Sequence, residues 1–152
     1  MIEIISGEKG KGKTKELLAK VNHSVDAASG NIVYLDKSQK HMYELNNKVR
    51  LINVMDYPIE NCDEFLGFLC GIVSQDHDLE EMYLDSFLTI AFAETDDSFL
   101  TIASIDTDDE IAHAIEKLDV ISEKYNVKFI LSVSRDESKL PECAKAKIVI
   151  SL

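Results

Sequence analysis

The chain has 152 residues, 45% of them apolar and 29% charged, a balance that suits one domain with a real core and excludes a disordered or fibrous chain. Its 28 acidic and 16 basic residues leave a formal net charge of −12, which repels phosphate backbones and argues against a nucleic-acid partner. No apolar run approaches the ~20 residues of a membrane span, the first strand leaves no room for a signal peptide, and the three cysteines form no CxxC pair that would suggest a disulfide framework or a zinc site. The expectations are therefore no membrane association, a cytoplasmic location, and reduced core thiols at Cys62, Cys70 and Cys143.

Ile2, Ile4 and Ile5 open the chain as a strand closed by Ser6-Gly7, and Leu17, Leu18 and Val21 follow at helical spacing. Asn31 to Leu35 is a short apolar run rich in β-branched residues after Gly30, the pattern of a buried strand. Ser38 can cap a short helix holding Met42 and Leu45. Arg50 to Val54 reads as a third strand ended by Asp56-Tyr57-Pro58, and Phe65, Leu66, Leu69, Ile72 and Val73 trace a helix face. Met82-Tyr83-Leu84 is a fourth strand ending on Asp85. Thr107-Asp108-Asp109-Glu110 has the form of a capping box before a helix that runs through Ile111, Ala114, Ile115, Leu118 and Ile121 to about Asn126. Val127 to Val133 and Ile148 to Ile150 complete five to six strands. Strand and helix alternate along the chain, which predicts a three-layer α/β domain over residues 1–152 with a mainly parallel sheet flanked by helices.

One stretch breaks the alternation. Residues 85–96 read DSFLTIAFAETD and residues 97–108 read DSFLTIASIDTD, identical at nine of twelve positions, a 12-residue tandem duplication rather than a solenoid, whose periods are longer. Its copies read as helical turns, with a hairpin turning at Thr95-Asp96-Asp97 as the alternative.

Gly7-Glu8-Lys9-Gly10-Lys11-Gly12-Lys13-Thr14 satisfies G-x-x-x-x-G-K-[ST] between a predicted strand and a predicted helix, the context in which that pattern binds phosphates. The glycines let the backbone curl so that successive N–H groups face inward, and the positive end of the next helix adds to the field. Lys13 is placed to reach the outer phosphates and Thr14 to set its hydroxyl on Mg²⁺, a hard cation that prefers oxygen. Lys9, Lys11 and Lys15 crowd basic charge around the same loop. A Mg²⁺-bound triphosphate also calls for an acidic residue at the end of a neighbouring strand. Asp85 is assigned that role, with Asp36 as its main competitor and Asp97 lacking an apolar strand before it. No glutamate follows Asp85, so the group that orients an attacking water is assigned to Asp56 at the end of the third strand, ahead of Glu60 and Glu94. Ser132, Ser134 and Arg135 emerge after the fifth strand, where ligands of parallel sheets bind, and Arg135 is placed to touch the outermost phosphate.

With this loop, an aspartate at a strand end and a polar-ended later strand, the chain resembles the P-loop NTPase superfamily, in particular its small RecA-like, additional-strand branch. It is also similar, through VYLDKSQKHMYEL, MYLDSFLTI and VKFILSVSRDESKLPE, to short bacterial ATP-binding proteins sometimes labelled twitching-motility proteins. The resemblance implies that Lys13 and Thr14 hold the Walker A positions, Asp85 the Walker B aspartate and Asp56 the place of a catalytic carboxylate. ATP and Mg²⁺ are then the expected ligands, since no N/T-K-x-D run selects guanine. The function expected is a slow ATPase or ATP-dependent switch that acts on a protein partner or through self-association. The alternatives are a nucleotide-binding regulator without catalysis and, third, a small-molecule kinase, for which the arginine-free duplication supplies no lid.

Overall fold

The computed structural model describes residues 1–92 and 104–152. Six strands form where β-branched and aromatic residues run together: β1 (Ile2–Ser6), β2 (Asn31–Asp36), β3 (Arg50–Asn53), β4 (Leu79–Leu84), β5 (Lys128–Val133) and β6 (Ile148–Ser151). They pair in the order β3-β2-β4-β5-β1-β6, and every pairing is parallel. All carboxyl ends therefore lie along one edge, because each return crosses over a face of the sheet. Burial follows position. The central strands are buried on both faces, whereas edge strand β3 has Arg50 exposed and the rest half-buried, and β6 alternates half-buried Ile148 and Ile150 with exposed Val149.

The period-two alternation of side chains divides the core into two layers. On one face Ile5, Ile32, Tyr34, Tyr83 and Ile130 pack against Leu17, Leu18, Val21 and Val25 of α1 (Lys13–Ala27). On the other face Ile4, Val33, Leu35, Met82, Leu84, Phe129 and Leu131 meet α2 (Cys62–Gln75), α3 (Phe87–Phe92) and α4 (Ser104–Tyr125). The one-turn α5 (Glu142–Lys145) follows Pro141 and adds Ala144 to that core. The expected helix-sheet-helix layering is thus present, with an all-parallel sheet where a mainly parallel one was expected.

Local chemistry explains the differences from expectation. Strand β4 begins at Leu79, three residues before Met82, and its second inward acid is tolerated because Glu81 accepts hydrogen bonds from Tyr83 Oη at 2.7 Å and Ser24 Oγ at 3.3 Å. Strand β3 stops at Asn53, whose side-chain oxygen accepts from Met55 N at 3.1 Å and turns Val54–Asp56 into a 3-10 turn. Ser38 caps no helix; Met42–Glu44 is a single 3-10 turn entered from His41. α4 begins at Ser104, so Thr107 lies within its first turn instead of capping it. Asn126 ends that helix with φ 55°, a left-handed position asparagine tolerates. In the first copy of the duplication, α3 forms with Phe87, Leu88, Ile90 and Ala91 buried; the turn at Thr95-Asp96-Asp97 lies outside the described residues. Of the expected core thiols, Cys62 and Cys143 are half-buried and pack against the core, whereas Cys70 is exposed. The reason is the phase of α2, whose inward positions are Phe65, Leu66, Leu69 and Val73. Among the described residues no helix is long and apolar enough to cross a membrane.

Candidate functional site

A cavity of about 710 Å³ opens at the carboxyl edge of the sheet. Its floor is built from the loop after β1. Gly7 is buried, and its N–H donates to Val133 O at 3.3 Å and Arg135 O at 2.9 Å, which holds the loop against the end of β5. Gly10 and Gly12 take φ of 84° and 94°, the left-handed region that a side chain disfavours. Gly12 is also the N-cap of α1, and no side chain caps that end. The first N–H groups of a helix have no intrahelical partner, so the positive end of α1 is presented toward the cavity.

Lys13 opens α1 with only 8% of its surface exposed, and its Nζ donates to Glu8 O at 2.9 Å. Burial lowers the pKa of this ammonium, partly offset by the negative charge of Asp85. Thr14, one residue on, donates from Oγ1 to Asp85 Oδ1 at 3.2 Å, joining the loop to the end of β4 across the intervening β5. Asp85 is 1% exposed and fully engaged. Its Oδ1 also accepts from Ser132 Oγ at 2.5 Å and Ser86 N at 2.9 Å, and its Oδ2 accepts from Tyr34 Oη at 2.7 Å. Ser86 adopts φ 54°, and its N–H bonds Ser132 Oγ at 2.8 Å as well.

The expected residues divide into two groups. Lys9, Gly10, Gly12, Lys13, Thr14 and Asp85 line one cavity, together with Ser132 and Ser134. Glu8, Lys11 and Lys15 are exposed around it; Glu8 faces Lys139 at 3.7 Å. Asp56 is not brought there. It lies exposed after edge strand β3, with β2, β4 and β5 between it and β1, and its Oδ1 accepts from Asn53 Nδ2 at 3.3 Å. Arg135 follows β5 but is outside the cavity lining, and its guanidinium contacts Asp108 at 3.4 Å. Glu60 is exposed and lines a separate cleft at the start of α2; Glu94 lies outside the described residues.

Asp36, unlike Asp56, lies at the cavity. It ends β2 beside β4, where Leu35 O accepts from Asp85 N at 2.9 Å, so the two aspartates leave adjacent strands together. Asp36 is 3% exposed and lines the cavity. Its Oδ1 accepts from Lys37 N at 2.7 Å, whereas its Oδ2 has no hydrogen-bond partner among the described residues. Burial, then the charge of Asp85, pushes this carboxyl up to about 6. Its signal in the sequence is the one used for Asp85, an apolar run ending in aspartate. Lys37, Ser38, Lys40 and His41, from the same loop, continue the cavity wall.

Backbone N–H groups, a helix terminus and a buried ammonium converging on one cavity can hold an anion. The Thr14 hydroxyl and the Asp85 carboxylate are paired oxygen donors of the kind a hard cation takes. Among the described residues no group of three or more histidine, cysteine, aspartate or glutamate side chains is arranged to hold a metal ion by itself. Fold and site together define an α/β protein with a glycine-turned loop at the carboxyl edge of a parallel sheet. No family model matches the chain, and no curated protein matches it in sequence.

Proposed function

We propose that this chain is a P-loop protein of the RecA-like, additional-strand kind that binds ATP·Mg²⁺ as a slow ATPase or ATP-dependent switch. The observation that carries this reading is the 3.2 Å contact of Thr14 with Asp85, formed across β5 by residues 71 positions apart. A glycine-rich turn without a ligand has no need of a hydroxyl aimed at a buried carboxylate beside a buried lysine. The strand order supports the additional-strand form, since β5 separates β1 from β4.

In this reading the loop N–H groups and Lys13 bind the phosphates, and Thr14 with Asp85 would hold Mg²⁺. The metal, when bound, offsets charge on the phosphate oxygens. Asp36 is the carboxylate within the cavity that can accept a hydrogen bond from the attacking water, the role Asp56 is too distant to play. Ser86 stands where a glutamate would follow Asp85, and that observation favours the second reading, a nucleotide-binding regulator whose turnover waits on a protein partner or a second copy. A partner's cation is consistent with both readings, because Arg135 lies outside the cavity lining.

Phosphate release from ATP and GTP with Mg²⁺, across a range of protein concentrations and beside Lys13→Ala, tests the proposal. Turnover that rises faster than linearly with protein and vanishes in the variant supports an ATPase completed by self-association; binding without turnover supports the regulator. Unchanged ATP·Mg²⁺ affinity in Lys13→Ala would sink the site assignment.

A further inference from the structure

The cavity continues well past the loop. From β1 the sheet runs through β5 and β4 to β2, and adjacent strands lie about 4.8 Å apart, so the end of β2 stands about 14 Å across the edge from the end of β1. Thr14 and Asp85 lie between these two ends. If the loop holds a triphosphate with its metal at that pair, the space over β2 lies beyond the terminal phosphate. Its wall is Asp36, Lys37, Ser38, Lys40 and His41.

A water molecule needs only Asp36, yet three basic side chains stand beyond it. Among the described residues the exposed ammonium groups of Lys37 and Lys40 join no ion pair, Lys37 and His41 stand near enough to Asp36 for their charges to act on its carboxyl, and His41 meets Glu44 at 3.0 Å. In a chain of net charge −12, basic side chains gathered at the rim of one cavity wall favour an anion there over the acidic remainder of the surface, with the Asp36 carboxylate set beneath them. Beneath them the Asp36 Oδ2, in a side chain 97% buried by its 3% exposure, lacks a donor. A buried acceptor without a partner costs free energy unless a ligand or water supplies the hydrogen bond.

We propose that this outer half of the cavity is a second-ligand subsite for a small anion that also carries a hydroxyl group. Lys37, Lys40 and His41 pair with the anionic group, and Asp36 accepts the hydroxyl's hydrogen bond. The inference rests on reading the loop as the triphosphate site, since only then does the subsite lie beyond the outermost phosphate. It extends that reading by giving the site a second occupant whose chemistry joins negative charge to a hydrogen-bond donor.

The test is calorimetry on the full chain saturated with a non-hydrolysable ATP analogue, AMP-PNP, and Mg²⁺, titrated with glycerol 3-phosphate and separately with propyl phosphate, the same monoester without its alcohol groups. The expected result is that glycerol 3-phosphate binds the loaded protein more tightly than propyl phosphate does. The double variant Lys37→Ala/Lys40→Ala is expected to weaken glycerol 3-phosphate at least tenfold, with AMP-PNP saturation of the same sample reporting that it has folded. Asp36→Ala should weaken glycerol 3-phosphate and strengthen propyl phosphate, because the repelling carboxylate is gone while the cations stay. Absence of binding by both probes, or binding that ignores the lysine substitutions, overturns the subsite. Equal affinity of the two probes for the wild type overturns the hydroxyl requirement. If AMP-PNP fails to bind the wild type, the triphosphate reading falls as well; AMP-PNP binding without probe binding removes the second subsite alone.

Discussion

Two aspartates at the ends of adjacent strands show how much environment decides. Asp85 receives hydrogen bonds from Thr14, Tyr34, Ser86 and Ser132, whereas Asp36 is left with one open oxygen. Truncating Asp85 to alanine strands the buried Tyr34 and Ser132 hydroxyls, so Asp85→Ala is expected to cost roughly 2–4 kcal/mol in urea unfolding. Asp85→Asn should keep most of the fold yet weaken the Mg²⁺ dependence of nucleotide binding, the cleaner test of a metal role. Asp36 behaves oppositely. Its folded pKa of about 6 lies above the ordinary 3.8, so the folded state holds its proton longer, and stability falls as pH rises through that window. Asp36→Asn should therefore be more stable than wild type at pH 7 by on the order of 1–3 kcal/mol, with the difference vanishing below about pH 4. Urea titrations of both proteins between pH 4 and 8 measure this directly. Lys13, Thr14 and Asp85 are legible in sequence because a motif or a strand end marks them. Asp36 and Asp56 carry the same strand-end mark, and residue type alone cannot rank them.

At the scale of elements, the loop is the part whose backbone requirement is written in residue types. An added Cβ at Gly10 or Gly12 meets nothing within 4 Å, so alanine there is opposed by backbone conformation alone, about 1–2 kcal/mol per position. For a domain of this size, Gly12→Ala is expected to lower Tm by about 2–8 °C. It should lower nucleotide affinity as well, since Gly12 also sets the exposed N-terminus of α1; thermal melts with and without ATP·Mg²⁺ separate the two effects. The central strands were legible because burial on both faces demands continuous apolar runs, as in Ile32–Leu35 and Phe129–Leu131. Glu80 and Glu81 look like a strand boundary in sequence, yet β4 includes both, because the Tyr83 and Ser24 hydroxyls satisfy Glu81. The start of α4 differs as well: the capping pattern at Thr107 is a local signal, and the helix already begins at Ser104.

For the whole molecule, the proposed nucleotide would stabilise the folded state by mass action. At ATP·Mg²⁺ one hundred times its Kd the gain is about 2.7 kcal/mol, or about 5–11 °C in Tm, and Lys13→Ala should abolish the shift. A melt that ATP·Mg²⁺ leaves unmoved in the wild type counts against a nucleotide site of any kind. The alternation of strand and helix, the glycine-lysine-threonine loop and the aspartate at the end of Tyr83-Leu84 were determined by sequence alone, because periodicity, backbone permissiveness and side-chain chemistry are local properties. Strand order was not. Nothing in the residues of β3 says that it lies at the sheet edge, three strands from β1, and that placement is what sets Asp56 apart and brings Asp36 into the cavity. The pairing of Arg135 with Asp108 and the gathering of Lys37, Lys40 and His41 opposite the loop were likewise decided only in the tertiary structure, since proximity between distant segments follows from how helices cross the faces of the sheet.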